Sequence, residues 1–383
     1  MNEFDFIRRL REQTSSRKHS TRLVTGIGDD ASVVNQTANR DLLVTSDLLI
    51  EGIDFFRDVA PARMLGHKAL AASLSDIAAM GGRPFWSLLS IGIPFETWKK
   101  PFKDEFFNGY FALADKYGVT LAGGDISEAK NGIVVDSILL GDVAKDAAVL
   151  RSGARAGDQI YVTGTLGGAA AGLKLIEMGA QIDQSGLTSL PRTGKRVSRT
   201  VSEDSGTEPE AARGSHAGSL REVVDATGSF ESAELKAIET LLLCQLRPLP
   251  RVGWGIVLGD ERLATAMIDI SDGLSSDLAH LCEESNVGAL IKSSSIPIDK
   301  DVIRLCGRRA LDPLALALHG GEDFELLFTV QPQDIPRLPK RVDGVAISHI
   351  GEINDQPGAV KIAEKNRVWD LHPQGFEHFA SRA

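Results

Sequence analysis

The stretch 265–284, TAMIDISDGLSSDLAHLCEE, decides the fold class of this chain. Residues 265–269 form a short, mostly apolar run, which predicts a buried strand, and residues 272–284 carry apolar side chains at helical spacing. The turn between them holds Asp269, Asp272 and a glycine. A strand that passes through such a turn into a helix is typical of α/β proteins.

The same alternation of strands and helices extends outward from this stretch. A stripe of apolar residues predicts a helix over 62–80, which Gly81-Gly82 and Pro84 bring to an end. We predict a second helix over 103–117 and strands over 41–47, 119–122, 133–143, 159–163 and 324–330. The sequence therefore predicts an α/β fold.

Changes of composition predict how the chain is divided. Residues 151–158 are rich in glycine, alanine and charge, so we predict two α/β domains, 1–150 and 151–383. Residues 183–230, within the second domain, contain few large apolar side chains. Such a segment cannot bury enough surface to offset its chain entropy, so we predict a disordered insertion there.

The overall composition excludes several classes of partner. The 383 residues are 43% hydrophobic and carry a net charge of -10, which disfavours binding to nucleic acid or to an anionic membrane. The three cysteines show no metal or disulfide spacing, and no signal peptide or membrane-spanning run is readable. We expect a cytoplasmic protein.

Acidic residues recur beside glycines at the predicted ends of strands and helices. The segments are Asp29-Asp30 after Gly26-Ile27-Gly28, Asp47 after a strand, Asp125 after Gly123-Gly124, Asp269 and Asp272 around a turn, and Glu322-Asp323 after Gly320-Gly321. Asp76 lies within an otherwise apolar helix, where an ionised carboxylate is costly without a cation. Mg²⁺ prefers carboxylates together with substrate phosphates, so the pattern predicts a magnesium and polyphosphate site.

Each of these residues also has a simpler interpretation. A lone aspartate before a helix is more often a cap, with roughly one chance in ten of being a ligand, and Gly-Gly is often a plain turn. Recurrence in several segments favours the metal interpretation. The chain has no P-loop, no protein-kinase motif, no H-E-x-x-H and no G-x-S-x-G, so a phosphate site of another type is required.

Eight blocks of this sequence resemble the signature blocks of the thiamine-monophosphate kinase family, and they cover nearly the whole chain except the insertion. They are GIGDDASVV (26–34), TSDLLIEGIDF (45–55), HKALAASLSDIAAMGGRP (67–84), LAGGDIS (121–127), RSGARAGDQIYVTGTLG (151–167), LRPLPRVGWG (246–255), IDISDGLSSDLAHL (268–281) and LHGGEDFELLFT (318–329). The family is similar to aminoimidazole ribonucleotide synthetase, selenophosphate synthetase and a hydrogenase-maturation protein.

The resemblance implies a fold, ligands and site residues. It implies an N-terminal domain, 1–150, that binds ATP and several Mg²⁺ ions and whose sheet pairs with that of a second subunit in a homodimer. The implied metal ligands are Asp30, Thr45, Ser46, Asp47, Asp76, Asp125, Asp269 and Asp272. The implied ATP contacts are Phe107, Gly124, Arg151 and Ser271. The implied substrate contacts are Asp54, Glu322 and Phe376, although the family usually has His where this chain has Asp54.

The implied reaction is the ATP-dependent phosphorylation of thiamine monophosphate to thiamine diphosphate. The acceptor phosphate attacks the γ-phosphorus and needs neither a nucleophilic residue nor a general base, since the second pKa of a phosphate monoester is about 6. Two alternatives stay open. One is another ATP-dependent enzyme of the superfamily, disfavoured because no Cys precedes Cys244 and the chain ends in Ala-Ser-Arg-Ala. The other is a non-catalytic nucleotide or metal sensor, although no matched aspartate is missing.

Overall fold

The structure is a computed structural model that describes residues 23–25, 29–35, 39–99, 101–182, 188–189, 232–307 and 311–376. Among these residues it contains two large β-sheets with helices packed against them. The predicted insertion lies outside the described residues, apart from a two-residue strand at its start. None of the described helices is both long and apolar enough to cross a membrane.

The first sheet is built from the N-terminal half of the chain. Its strands are β1 (Leu23–Thr25), β2 (Ser32–Asn35), β3 (Arg40–Ile50), β4 (Arg83–Ile93), β5 (Thr120–Glu128) and β6 (Val134–Ala144). They are arranged in the order β1-β2-β3-β6-β4-β5, and all neighbours are antiparallel except β4 and β5. Alternate residues of β3 and β6 are buried, so one face of the sheet contacts the core.

The second sheet uses residues from the C-terminal half. Its strands are β7 (Gln159–Thr163), β10 (Ala266–Asp269), β11 (Gly288–Lys292), β12 (Leu326–Val330), β13 (Arg341–Val342), β14 (Val345–Asn354), β15 (Val360–Glu364) and β16 (Arg367–Asp370). The order is β10-β12-β7-β14-β11-β15-β16, with β13 paired to β14. Two short strands, β8 (Gln181–Ile182) and β9 (Thr188–Ser189), pair with each other.

The helices cover the inner faces of the sheets. They are α1 (Ala62–Ala79), α2 (Phe102–Tyr117), α3 (Gly168–Glu177), α4 (Ser232–Leu246), α5 (Val252–Asp260), α6 (Leu274–Ser285), α7 (Lys300–Cys306) and α8 (Pro313–His319). Short 3₁₀ helices occupy Ser293–Ser295 and Ile335–Arg337. Most of α1 is buried, because it packs against α2, α5, the first sheet and β10 together.

Two glycines allow α1 to approach its neighbours closely. A Cβ atom on Gly66 would lie 1.9 Å from the carbonyl oxygen of Phe106 in α2, and one on Gly255 in α5 would lie 2.2 Å from that of Ala78. Any larger residue would force the helices apart. This packing holds α1 between the two halves of the molecule.

The largest apolar core contains side chains from both sides of residue 150. Leu43 and Leu74 belong to it together with Trp254, Leu258 and Phe328. The predicted division into 1–150 and 151–383 therefore stays a prediction about chain organisation, while the two halves share a core.

The predicted elements are present, but two of them are longer than expected. Asp47 lies inside β3, three residues before its end, because the strand continues to pair with β6 as far as Ile50 and Val134. Asp125 lies inside β5, because Gly123-Gly124 continues the strand instead of ending it. Neither aspartate ends a strand.

Candidate active site

Three carboxylates from distant parts of the sequence lie close together in the folded chain. Asp30 precedes β2, Asp76 lies on α1, and Asp269 is the last residue of β10. Each offers an oxygen atom within 4.8 Å of the others. Neighbouring hydroxyls orient two of them: Thr45 donates to Asp76, and the Ser75 Oγ donates to Asp269 Oδ2 at 2.6 Å. We call Asp30, Asp76 and Asp269 the carboxylate cluster.

Asp47 lies next to this cluster and has an unsatisfied oxygen. Its Oδ2 atom is buried without a hydrogen-bond partner among the described residues. Burial raises the pKa of Asp47 to about 6, against hydrogen bonds with Ser73 and Asp76 that lower it. A buried acceptor without a donor is costly, so this oxygen is suited to a cation.

Burial and mutual repulsion dominate the electrostatics of the cluster. The pKa of Asp76 is raised well above its ordinary value by burial, then by the charges of Asp47 and Asp269. The pKa of Asp269 is raised in the same direction by burial and by Asp30. Such a set of oxygen donors cannot all be ionised cheaply without a positive charge among them. The residues present therefore fit divalent cations of the Mg²⁺ type.

Arg151 provides a positive charge at the border of the cluster. Its guanidinium donates to Asp30 through Nε at 3.1 Å and Nη2 at 2.7 Å, and its backbone N–H donates to Asp29 at 3.3 Å. Burial, followed by the charge of Asp30, raises the pKa of Asp29 to about 7. Arg151 therefore partly compensates the two adjacent carboxylates, as a residue beside a phosphate site should.

The turn after β10 holds two predicted residues, and Asp277 on α6, which the sequence prediction missed, binds the backbone of this turn. Ser271 and Asp272 lie in the turn before α6. The carboxylate of Asp277 accepts hydrogen bonds from the backbone N–H groups of Asp272 at 3.2 Å and Gly273 at 3.0 Å. Asp277 is buried, and burial raises its pKa well above the ordinary value, as do Asp272 and Asp269. Asp277 lies three residues after Leu274, the first residue of α6. An aspartate in the buried part of a helix could have been recognised in the sequence for the same reason as Asp76.

Two predicted ligands lie on the other face of the first sheet. Ser46 follows the buried Thr45 along β3, so its side chain points outward, and its hydroxyl donates to Asp136 Oδ1 at 2.7 Å. Asp125 and Asp136 pair with Ser90 of β4 from opposite sides, so both lie on the same face of the sheet as Ser46, and Asp125 is exposed. Because successive side chains of a strand point to opposite faces, Ser46 and Asp125 face away from the carboxylate cluster. Their assignment as ligands stays a prediction.

The remaining predicted nucleotide contacts lie on β5 and α2. Gly124 has a φ of +151°, and a Cβ there would lie 1.9 Å from the carbonyl oxygen of Leu89, so only glycine fits this close backbone approach. Phe107 lies in an aromatic row on α2, 6.3 Å from the ring of Trp98 and 5.8 Å from that of Phe111. Both stay predicted ATP contacts.

A cavity of about 790 Å³ extends from the acidic residues to the predicted substrate contacts. Its lining includes Asp47, Asp54, Ser271, Asp272, Glu322 and Phe376, together with many apolar side chains. The Asp54 carboxylate accepts the Ile50 N–H at 2.7 Å, which fixes the turn after β3. The three predicted substrate residues therefore share one cavity with Asp47 and Asp272.

Two buried side chains hold Glu322 in this cavity, and the sequence prediction missed both. Lys68 Nζ lies 2.6 Å from Glu322 Oε1, and the Gln245 side-chain amide donates to Glu322 Oε2. Glu322 itself has a φ of +65°, an uncommon backbone conformation for this residue type. A lysine inside the apolar segment HKALAASL was a detectable signal, because a buried lysine requires an anionic partner.

Comparison with known proteins agrees with this arrangement. Residues 28–143 match the family model described as the N-terminal domain of AIR synthase related proteins. The structure superposes on AaThiL complexed with AMPPCP and TMP with a TM-score of 0.75 at 27% identity, covering 99% of this chain and 97% of that one. Residues 28–143 therefore form a domain of the AIR synthase-related class, and the whole chain shares its fold with AaThiL.

Relatives over the full length make the assignment narrower. The thiamine-monophosphate kinase of Escherichia coli K12 is 32% identical over 392 residues, covering 99% of this chain and 98% of the relative. That of Buchnera aphidicola subsp. Acyrthosiphon pisum is 31% identical over 381 residues, covering 98% of each. The crystal structure of the Stenotrophomonas maltophilia K279a enzyme has a TM-score of 0.66 at 32% identity, covering 95% of this chain and 98% of that one. The chain belongs to the thiamine-monophosphate kinase family.

Proposed function

We propose that this protein transfers the γ-phosphoryl group of ATP to the phosphate of thiamine monophosphate, which yields thiamine diphosphate and ADP. The observation that carries the proposal is the single cavity, about 790 Å³, that joins the acidic residues Asp47 and Asp272 to Glu322 and Phe376. Its size suits a ligand of a few hundred daltons. A related protein of known structure binds AMPPCP and TMP.

Mg²⁺ ions held by the acidic residues would neutralise the charge of the phosphates that react. The proposed ligands at the carboxylate cluster are Asp30, Thr45, Asp47, Asp76 and Asp269. Asp272, and Ser46 and Asp125 on the other face of the first sheet, are proposed as further ligands from the family resemblance. Phosphoryl transfer depends mainly on positioning and on charge neutralisation, which this donor set supports.

The other predicted residues bind and orient the two substrates. Arg151, half-buried and paired with Asp30, would contact the ATP phosphates together with Ser271, while Gly124 and Phe107 would border the nucleotide. Asp54, Glu322 and Phe376 would contact the thiamine portion from the walls of the cavity. Because the acceptor phosphate is largely deprotonated at pH 7, these residues need to position it and need not remove a proton.

We further propose a cytoplasmic homodimer. The outer face of the first sheet carries exposed or partly exposed apolar side chains, among them Trp86, Leu88, Ile138 and Leu140. Contiguous apolar side chains on a sheet face are typical of an interface. Pairing of this face with a second copy would cover them.

The direct test is ADP formation from ATP and Mg²⁺ with and without thiamine monophosphate. We expect ADP release that depends on thiamine monophosphate, with thiamine diphosphate as the second product. Free thiamine, which lacks the acceptor phosphate, serves as the control and should give only background release. A folded protein that binds ATP and Mg²⁺ but forms no thiamine diphosphate would contradict the proposal and favour the sensor interpretation.

A further inference from the structure

The Glu322 carboxylate is held from two sides by buried polar side chains. Lys68 and Gln245 are only 3% and 5% exposed, and each approaches a different carboxylate oxygen. The Glu322 side chain itself is 29% exposed and lines the cavity. A carboxylate fixed in this way still has free lone pairs that can accept hydrogen bonds from a ligand.

Lys68 also connects the two parts of the chain that line the substrate end of the cavity. Its Nζ atom donates to the backbone oxygen of Asp54 at 3.2 Å, in addition to its contact with Glu322. Lys68 lies on α1, whose backbone is fixed by its close packing against α2 and α5. The ammonium group therefore sets the position of the Asp54 turn relative to Glu322.

Burial of a lysine is expensive, so its position requires an explanation. A buried lysine–carboxylate pair contributes little to stability on balance, because desolvation offsets most of the attraction. A pair that served only stability could be replaced by apolar residues at little cost. The pair instead faces a ligand cavity, which favours a role in recognition.

We propose that Lys68 and Gln245 are positioning residues that hold the Glu322 carboxylate in one orientation, so that it accepts a hydrogen bond from an amino group on the heteroaromatic ring of the substrate. This inference rests on the proposed function, because the aminopyrimidine of thiamine monophosphate is the amino-bearing ring concerned. An ionised carboxylate accepts from an amino group and repels a carbonyl oxygen at the same position. The pair therefore determines which ring the enzyme accepts.

The test replaces Lys68 by Met, which keeps the length of the side chain and removes its charge. In Lys68→Met we expect KM for thiamine monophosphate to rise about tenfold or more, with KM for ATP within about twofold of the wild type. The wild type should prefer thiamine monophosphate over its 4′-oxo analogue. In the variant this preference should fall towards one, because the Glu322 carboxylate is no longer held in the orientation that receives the amino group.

Lys145→Met is the matched control. Lys145 pairs with the buried carboxylate of Asp41 at 2.8 Å, and it belongs to the segment that follows β6. Loss of this pair should lower the thermal stability without changing either KM or the preference for the amino ring. A rise in KM for thiamine monophosphate in Lys145→Met equal to that in Lys68→Met would mean that loss of any such ion pair suffices, and would overturn the inference.

Gln245→Leu keeps the inference testable if Lys68→Met does not fold. It removes the second contact to Glu322, and we expect a smaller rise in KM for thiamine monophosphate with a weaker preference for the amino ring. Folded Lys68→Met or Gln245→Leu with wild-type values of both would overturn the inference. A wild type that makes no thiamine diphosphate would instead contradict the proposed function, so the two failures are distinct.

Discussion

At the scale of single residues, Asp47 best shows how this site differs from an ordinary acidic turn. Its neighbours in β3, Ser46 and Leu48, are exposed, yet one carboxylate oxygen of Asp47 is buried and has no donor among the described residues. Substitution of such a carboxylate can distinguish a structural role from a role in metal binding. A structural carboxylate stabilises the metal-free protein. A buried metal-binding carboxylate destabilises the metal-free protein and stabilises the fold only when the cation is bound.

We therefore predict that Asp47→Asn lowers kcat on the order of 100-fold, equivalent to about 2.7 kcal/mol, and raises the Mg²⁺ concentration required for half-maximal rate. The amide keeps the shape of the side chain but loses the charge. A Mg²⁺ titration of the initial rate measures both quantities. Asp115→Asn, at an exposed position of α2, is the control and should behave as the wild type. Wild-type turnover of Asp47→Asn at sub-millimolar Mg²⁺ would disprove the ligand role.

A second prediction concerns the pH dependence of stability without metal. Because the pKa of Asp47 is raised to about 6, the folded protein holds its proton more tightly than the unfolded chain does. The free energy of unfolding is therefore highest below the ordinary pKa of 3.8 and falls as the pH rises through 6. The full cost of ionising it is on the order of 3 kcal/mol. Burial lowers the pKa of His67 to about 4, which has the opposite effect on stability, so wild type and Asp47→Asn must be compared.

In the presence of a chelator, we expect the melting temperature of the wild type to fall more between pH 5 and pH 8 than that of Asp47→Asn, which retains His67. Saturating Mg²⁺ should raise the wild-type melting temperature at pH 8 more than at pH 5. Thermal melts at both pH values measure this. If the melting temperatures of the two proteins changed in parallel with pH, ionisation of Asp47 would not destabilise the folded protein, and the prediction would be wrong.

At the scale of elements, the strands and helices that the sequence predicted are present, but it did not predict β4, β11 or β14, and it placed two acids incorrectly within their strands. Helical spacing in α1 and the apolar run of β10 are local signals, so they could be read directly. The lengths of β3 and β5 depend on pairing with β6 and β4, which are distant in sequence. For the same reason, Gly123-Gly124 was interpreted as a turn when it lies within a strand.

The acidic residues of the candidate site could be predicted from the sequence, but the contacts that position them could not. Its aspartates stand out because charges in apolar sequence are rare, and the family resemblance supplied their roles. The contacts that orient them could not be predicted, because Lys68, Gln245 and Glu322 come from three separate segments that meet only in the folded chain. The separation of Ser46 from Thr45 follows from the strand period of two, so it was already implied by the predicted strand 41–47.

The close packing of α1 on α2 gives a prediction at this scale. Gly66→Ala places a Cβ 1.9 Å from the backbone oxygen of Phe106, so the helices must separate. We expect the free energy of unfolding to fall by about 2 kcal/mol or more, measured by urea denaturation. Gly92→Ala in β4, where the nearest atom would lie at 3.7 Å, is the control and should change stability little. Equal stability of the two variants would show that the helices can yield.

At the scale of the whole molecule, the outer face of the first sheet is where a second copy should bind. Leu88→Glu introduces a charge into this face, and we expect the protein to shift from the dimer towards the monomer mass of 41.1 kDa. Light scattering after size exclusion measures the mass. Ile303→Glu, an exposed apolar position on α7, should leave the dimer intact. A wild type that is monomeric at micromolar concentration would contradict the prediction.

The position of α1 has a consequence for the length of substrate that the enzyme accepts. The helix carries both Asp76 of the carboxylate cluster and Lys68, the partner of Glu322, eight residues and therefore about 12 Å apart along its axis. Because α1 is rigidly packed, it serves as a spacer that fixes the distance between ring and reacting phosphate. We expect analogues with one extra methylene between ring and phosphate to be phosphorylated more slowly, even when they bind equally well. A product longer by one phosphoryl group no longer matches the spacer, which would favour its release.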